Sequence, residues 1–250
     1  MANRKDEKER LRREREAMER SSAAEARKRL ILGYAVAGVL AAAVVVGIVF
    51  AIVSGGGNSE GAGDDGGPNV NTTFGVVPEG LEIDNREGTP PPDVVDGDLT
   101  AAAEAAGCEL QLDLPDEGST HVDPPEPDSL PKYDTNPPTS GDHYPEPLAD
   151  GAFQSQPPIG NSLHALEHGR IEIQYSPDLP EEDQMALKGV FDADRPGMIM
   201  FPNPDMPYEV STTAWTQLMG CETFEGDSTL DAIRAFRDEY RGRGPEPVDY

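Results

Sequence analysis

An α+β fold, with a small and mostly antiparallel sheet flanked by helices, is what this sequence predicts for residues 98–250. A single transmembrane helix and a flexible linker are expected ahead of it. Three observations carry that expectation. Residues 108–114 (CELQLDL) and 170–175 (RIEIQY) alternate apolar and polar positions, the period of two that marks a half-buried strand. Residues 181–191 and 230–241 place apolar side chains at helical spacing. Residues 30–53 form an uncharged run, almost entirely aliphatic.

Taken in order, the first element is a solvated helix over residues 5–29. Glu9/Arg13 and Glu16/Arg20 stand at i,i+4 with the acid first, the favourable order. The apolar run follows. At about 1.5 Å rise per residue it spans roughly 36 Å, enough to cross a hydrocarbon core of about 30 Å. A cleaved signal peptide is the alternative, with Ser54-Gly55-Gly56 offering small residues for a peptidase. The usual apolar region of such a peptide is about 7–15 residues, so a retained signal anchor is the better reading.

Charge sets the orientation. Residues 1–29 hold 11 Lys/Arg and 7 Asp/Glu, and Arg27-Lys28-Arg29 abuts the apolar run. That leaves 9 of the 20 basic and 40 of the 47 acidic residues for the rest of the chain. The positive-inside rule puts the N-terminus in the cytoplasm and everything after Val53 outside, at the plasma membrane. Cys108 and Cys221 then lie on the oxidising side, where a disulfide between them is expected. So acidic a domain excludes nucleic acid, whose phosphates need a basic footprint, and does not suit anionic headgroups.

Residues 54–71 are a Gly-rich tether, with a reach of roughly 20–25 Å. Residues 72–97, with Pro90-Pro91-Pro92, read as an extended lead-in, which makes residues 54–97 the linker. The domain proper opens with a helix over 99–106, stopped by Gly107. The strand 108–114 follows. Residues 116–158 are rich in Pro, Gly, Asp and Ser and form a long irregular excursion. Asn161-Ser162 offers N-cap chemistry for a two-turn helix over 163–168, ended by Gly169. The strand 170–175, the helix 181–191, strands over 197–201 and 208–218, and the helix 230–241 complete the unit. Met198, Met200, Met206 and Met219 cluster late in the chain and read as core filling before soft metal ligands.

All four histidines lie between positions 121 and 168: His121, His143, His164 and His168. His164 and His168 stand at i,i+4, so a helix puts both imidazoles on one face, close enough to chelate one ion. His121 and His143 sit in the excursion, which can fold back and complete the site. Neutral imidazole suits a transition metal, here copper or zinc. His164-Ala165-Leu166-Glu167-His168 also fits the H-x-x-E-H pattern of inverted zinc metalloproteases, with Glu167 as base or as support behind the ligands. A helix end whose imidazoles bond to backbone carbonyls is the structural alternative. A nucleophilic Ser140 finds no G-x-S-x-G elbow to support it.

Five motifs carry a family resemblance: Thr120-His121-Val122; Asn136-Pro137-Pro138-Thr139-Ser140-Gly141 through His143-Tyr144; LHALEHGR over 163–170; Thr213-Ala214-Trp215; and Arg241-Gly242-Arg243-Gly244-Pro245-Glu246. Over residues 107–246 the chain resembles a bacterial domain-of-unknown-function family, number 3105. The resemblance implies a membrane segment followed by one extracytoplasmic domain, with histidines matching all four of these and Glu167 between the last two. It implies no activity. The functional expectation is therefore an extracytoplasmic histidine-cluster metal-binding domain anchored in the bilayer by residues 30–53. A non-catalytic envelope domain binding protein or glycan is the alternative, and a zinc-dependent hydrolase the third.

Overall fold

The computed structural model describes residues 70–95, 97–122 and 130–248. The expected cytoplasmic helix, the expected transmembrane helix over 30–53 and all but the last two residues of the expected tether lie outside the described residues. Among the described residues no helix is long and apolar enough to cross a membrane.

Among the described residues seven strands and four helices follow in chain order: β1 (Val70–Asn71), α1 (Leu99–Ala105), β2 (Cys108–Gln111), β3 (Asp150–Ala152), α2 (Ile159–Glu167), β4 (Ile171–Tyr175), α3 (Glu181–Ala193), β5 (Met198–Pro202), β6 (Val210–Ala214), β7 (Gln217–Cys221) and α4 (Asp227–Tyr240). The sheet runs β1-β3-β5-β4-β6-β7-β2. The class is α+β as expected, but the sheet is mixed, which corrects the mostly antiparallel expectation. β5 pairs parallel with both β3 and β4. The cause is local: α2 and α3 each carry the chain from one strand to the next, and a helical crossover returns a strand parallel. The other pairings, β1/β3, β4/β6, β6/β7 and β7/β2, are antiparallel.

Two further corrections follow. The strand expected over 208–218 is a hairpin, turning at Trp215-Thr216 with Thr216 at φ 60°. β3 lies inside the stretch expected to be irregular; its Asp-Gly-Ala sequence has no alternation to read. The lead-in and the end of the tether also take part in the fold. Val70 of the tether and Phe74, Val77, Leu81 and Ile83 of the lead-in pack on a buried cluster of Leu148, Phe153, Ala165, Ile199 and Phe201.

The main core lies on the other face of the sheet. Ile171, Ile173, Met198, Met200, Val210 and Met219 meet Leu187, Val190, Phe191, Leu230, Ile233 and Phe236 there. Each such side chain contributes roughly 1.5–3 kcal/mol by leaving water. The buried methionines are therefore core residues. α1 is started by Asp98, whose carboxylate accepts from Ala101 N at 3.0 Å. Glu181, Glu182 and Asp183 occupy the first turn of α3, where the helix dipole favours negative charge. Cys108 and Cys221 are partners in the β2/β7 register and form the expected disulfide.

Candidate metal centre

α2 covers the opposite face, and the site is built at its C-terminal end. The helix begins earlier than Asn161-Ser162 predicts. Pro158 takes the cap position, and Asn161, inside the helix, donates from its amide to Glu146 O at 2.6 Å. That bond, with Leu148 N donating to Asn161 O at 2.8 Å, straps the excursion along the helix. His168 is the C-cap, and Gly169 turns the chain away at φ 82°.

The excursion folds back on itself. His121 and His143 form a parallel bridge: Val122 N donates to His143 O at 2.8 Å and His143 N to Thr120 O at 3.0 Å. Tyr133 braces this turn, its hydroxyl donating to Asp142 O at 2.7 Å. A Cβ on Gly141, already at φ 127°, would stand 2.7 Å from the Tyr133 ring. Ser140 is fully buried, and its hydroxyl accepts from Glu117 N at 3.0 Å, a structural bond within the loop.

The C-terminal segment closes the site from the other side. Gly242 N donates to Gly169 O at 2.8 Å, and Glu246 N to Glu167 O at 3.0 Å. Gly244 passes so close to the end of α2 that a Cβ there would lie 2.1 Å from Glu167 O. Arg170, fully buried, ties this end together. It donates to Asp150 Oδ1 at 3.0 Å, to His168 O at 3.2 Å and to Val248 O at 3.4 Å. Its guanidinium lies 3.3 Å over the Phe74 ring, whose edge meets His168.

These elements bring the four histidines and Glu167 together. His143 Nδ1 donates to Gly141 O at 2.8 Å, His164 Nδ1 to Tyr144 O at 2.7 Å and His168 Nδ1 to Glu246 O at 2.7 Å. A carbonyl oxygen only accepts, so each Nδ1 carries the proton and each neutral ring keeps its lone pair on Nε2. The Nε2 atoms turn inward. Glu167 Oε2 stands 3.1 Å from His143 Nε2, 3.8 Å from His121 Nε2 and 3.9 Å from His164 Nε2. His164 Nε2 and His168 Nε2 are 2.9 Å apart. Two donors on one ion, each about 2.0–2.1 Å from it, are separated by at most about 4.2 Å, and all four of these distances fall inside that limit.

His143, His164 and Glu167 are buried, while the His121 side chain is 47% exposed, so the cluster opens to solvent on that side. Burial, reinforced by the neighbouring imidazoles, pushes His164 down to about 4, which leaves it neutral and competent to ligate at neutral pH. The Trp215 ring meets the edge of His143 at 6.1 Å and helps to fix that ring. One ligand atom each from His121, His143, His164 and Glu167 lie within 4.8 Å of one another. Glu167, His168 and Glu246 form a second such group.

The residues that orient the imidazoles were invisible in the sequence. Gly141, Tyr144 and Glu246 act through backbone carbonyls, which any residue type possesses. Position in the quoted motifs was the only available signal, since all three lie within them.

Fold and site together define a mixed α+β domain that gathers four imidazoles about a buried carboxylate. Over residues 126–249 the chain matches the family described as "Protein of unknown function (DUF3105)". The match begins after Thr120-His121-Val122 and Cys108, so His121 lies ahead of it. No curated protein and no solved structure matches the chain.

Proposed function

We propose that this protein is a membrane-anchored, extracytoplasmic domain that binds a transition metal, zinc or copper, through His121, His143, His164 and His168 with Glu167. The observation that carries this reading is the convergence of ring nitrogens. Three imidazoles turn Nδ1 to backbone carbonyls and Nε2 toward one another and toward the Glu167 carboxylate. In their neutral form such rings present lone pairs from Nε2, the donors that a transition metal takes. Bonds from Nδ1 to carbonyls are also how ligating histidines are held in orientation.

Glu167 favours a carrier or structural role over hydrolysis. In the H-x-x-E-H reading it acts as base on metal-bound water, whereas here its Oε2 stands at ligand range from three imidazoles. The Cys108–Cys221 disulfide supports an oxidising compartment, and the uncharged run 30–53 supports the bilayer anchor. The test is elemental analysis of the full chain, produced without a polyhistidine tag and dialysed against metal-free buffer. Bound zinc or copper that is lost in a His164→Ala/His168→Ala double variant is expected; a metal-free protein that zinc and copper salts leave thermally unchanged would overturn the reading.

The second reading, an envelope domain binding protein or glycan, draws on a cleft of about 530 Å³ beside the site. Trp215, Tyr240, Gln217, Arg243 and Asp113 line it, aromatic rings among planar polar groups, the chemistry that grips sugar rings. A metal-free protein that binds glycan fragments would favour it.

A further inference from the structure

We infer that the cluster is a two-ion centre in which Glu167 bridges an inner ion, held by His121, His143 and His164, and an outer ion, held by His168 and Glu246. The inference rests on the metal-binding reading above and deepens it.

Donor number is the first argument. A tetrahedral ion takes four protein ligands, or three with one open position, and His121, His143, His164 and Glu167 already supply four. His168 is surplus to that set. It does not stand alone, because Glu167, His168 and Glu246 bring one ligand atom each to within 4.8 Å of one another. The two groups share Glu167, and a carboxylate with two oxygens is suited to joining two ions.

The second argument comes from the His164/His168 contact. Both rings turn Nδ1 to a backbone carbonyl and Nε2 toward each other, the two Nε2 atoms 2.9 Å apart. Each ring thus directs its second nitrogen to the boundary between the two groups, where two neighbouring ions would give each Nε2 its own metal–nitrogen bond. Ions in such pairs stand about 3.5–4 Å apart, a spacing that accommodates ligand atoms this close on neighbouring metals.

Exposure then ranks the ions. Three of the four inner donors, His143, His164 and Glu167, are buried and only His121 is exposed, whereas the outer ion's own donors are half-buried (His168) and exposed (Glu246). The outer ion faces solvent, exchanges more readily, and keeps coordination positions for water or an anionic ligand.

The experiment is a calorimetric titration of the metal-free full chain with zinc chloride, with the folded state of each variant checked by circular dichroism. Wild type is expected to take up two equivalents with separable affinities. Glu246→Gln, which keeps the backbone carbonyl that anchors His168, is expected to take up one tight equivalent, and His143→Ala to lose the tight one. Loading with copper(II) gives a second readout, because two ions this close couple magnetically and the uncoupled paramagnetic signal falls below one spin per ion. A single equivalent in wild type at saturation, or two equivalents retained in Glu246→Gln, overturns the two-ion centre. No uptake at all overturns the metal-binding reading itself, so the two failures are distinguishable.

Discussion

The two faces of the sheet are built on opposite terms. On one, α1, α3 and α4 bury aliphatic and aromatic side chains against Ile171, Ile173, Met198 and Met200 in a continuous apolar cluster. On the other, α2 and the excursion enclose buried polar groups: Glu172, Gln174, Thr213, Asn203, His143, His164 and Glu167. Gln174 donates to Glu172 Oε2 at 2.8 Å, and Asn203 to Gln174 Oε1 at 2.7 Å. The first face obtains stability from the removal of apolar surface from water. The second gives up some of that stability to fix polar atoms in direction, which is what a coordination site needs. The difference assigns stability and metal binding to different residues, and variants can separate them.

The largest effect belongs to the apolar face. Phe236→Ala empties a fully buried site and is expected to cost about 3–5 kcal/mol in denaturant unfolding, while zinc bound per folded molecule stays unchanged. A parallel loss of zinc by the folded fraction would break the separation between faces.

Next comes Glu172, fully buried on the site face, where burial pushes its carboxyl from the usual 4.5 up to about 7. The folded protein therefore holds this proton more tightly than the unfolded chain does. Stability from this group is complete below about pH 4.5, declines as pH rises to about 7, and is then lower by about 3 kcal/mol. In metal-free protein, Glu172→Gln is expected to be more stable than wild type by that amount at pH 8 and to match it at pH 4. A difference independent of pH would show that this carboxyl is no burden.

Smaller effects test positioning. Gly244→Ala forces a methyl against Glu167 O, displaces the carbonyl of Glu246 and frees His168 to rotate. Metal affinity is expected to fall about 10–100-fold, the usual range for losing an orienting partner, with the main core intact. His121→Ala removes the most exposed candidate ligand and is expected to weaken zinc binding by less than about tenfold. If it weakens binding more than His143→Ala does, the ranking of ligands by burial is wrong.

The contrast between faces also explains what could be read in advance. α3, α4, β4 and β2 announce themselves because one face of each is apolar at a fixed period. The four histidines were legible as a rare residue type concentrated in one stretch, with His164 and His168 at helical spacing. β3 has too few residues to show a period, and the Trp215-Thr216 turn lacks the glycine or asparagine that normally marks a left-handed residue. The partners of Val70, Phe74 and Ile83 depend on tertiary contact, which leaves no local pattern. The sequence predicts Glu167 as base or as support behind the ligands; its place among the Nε2 atoms depends on where the excursion lands, and no spacing encodes that.

Metal binding at this cluster requires imidazole nitrogen to reach the ion through Nε2. The most direct measurement is the zinc-edge X-ray absorption spectrum of the loaded full chain. A first shell of nitrogen and oxygen at about 2.0–2.1 Å, with outer-shell scattering from at least three imidazoles that weakens in His143→Ala, is the predicted result. A shell without imidazole scattering, or one unchanged in His143→Ala, would contradict it.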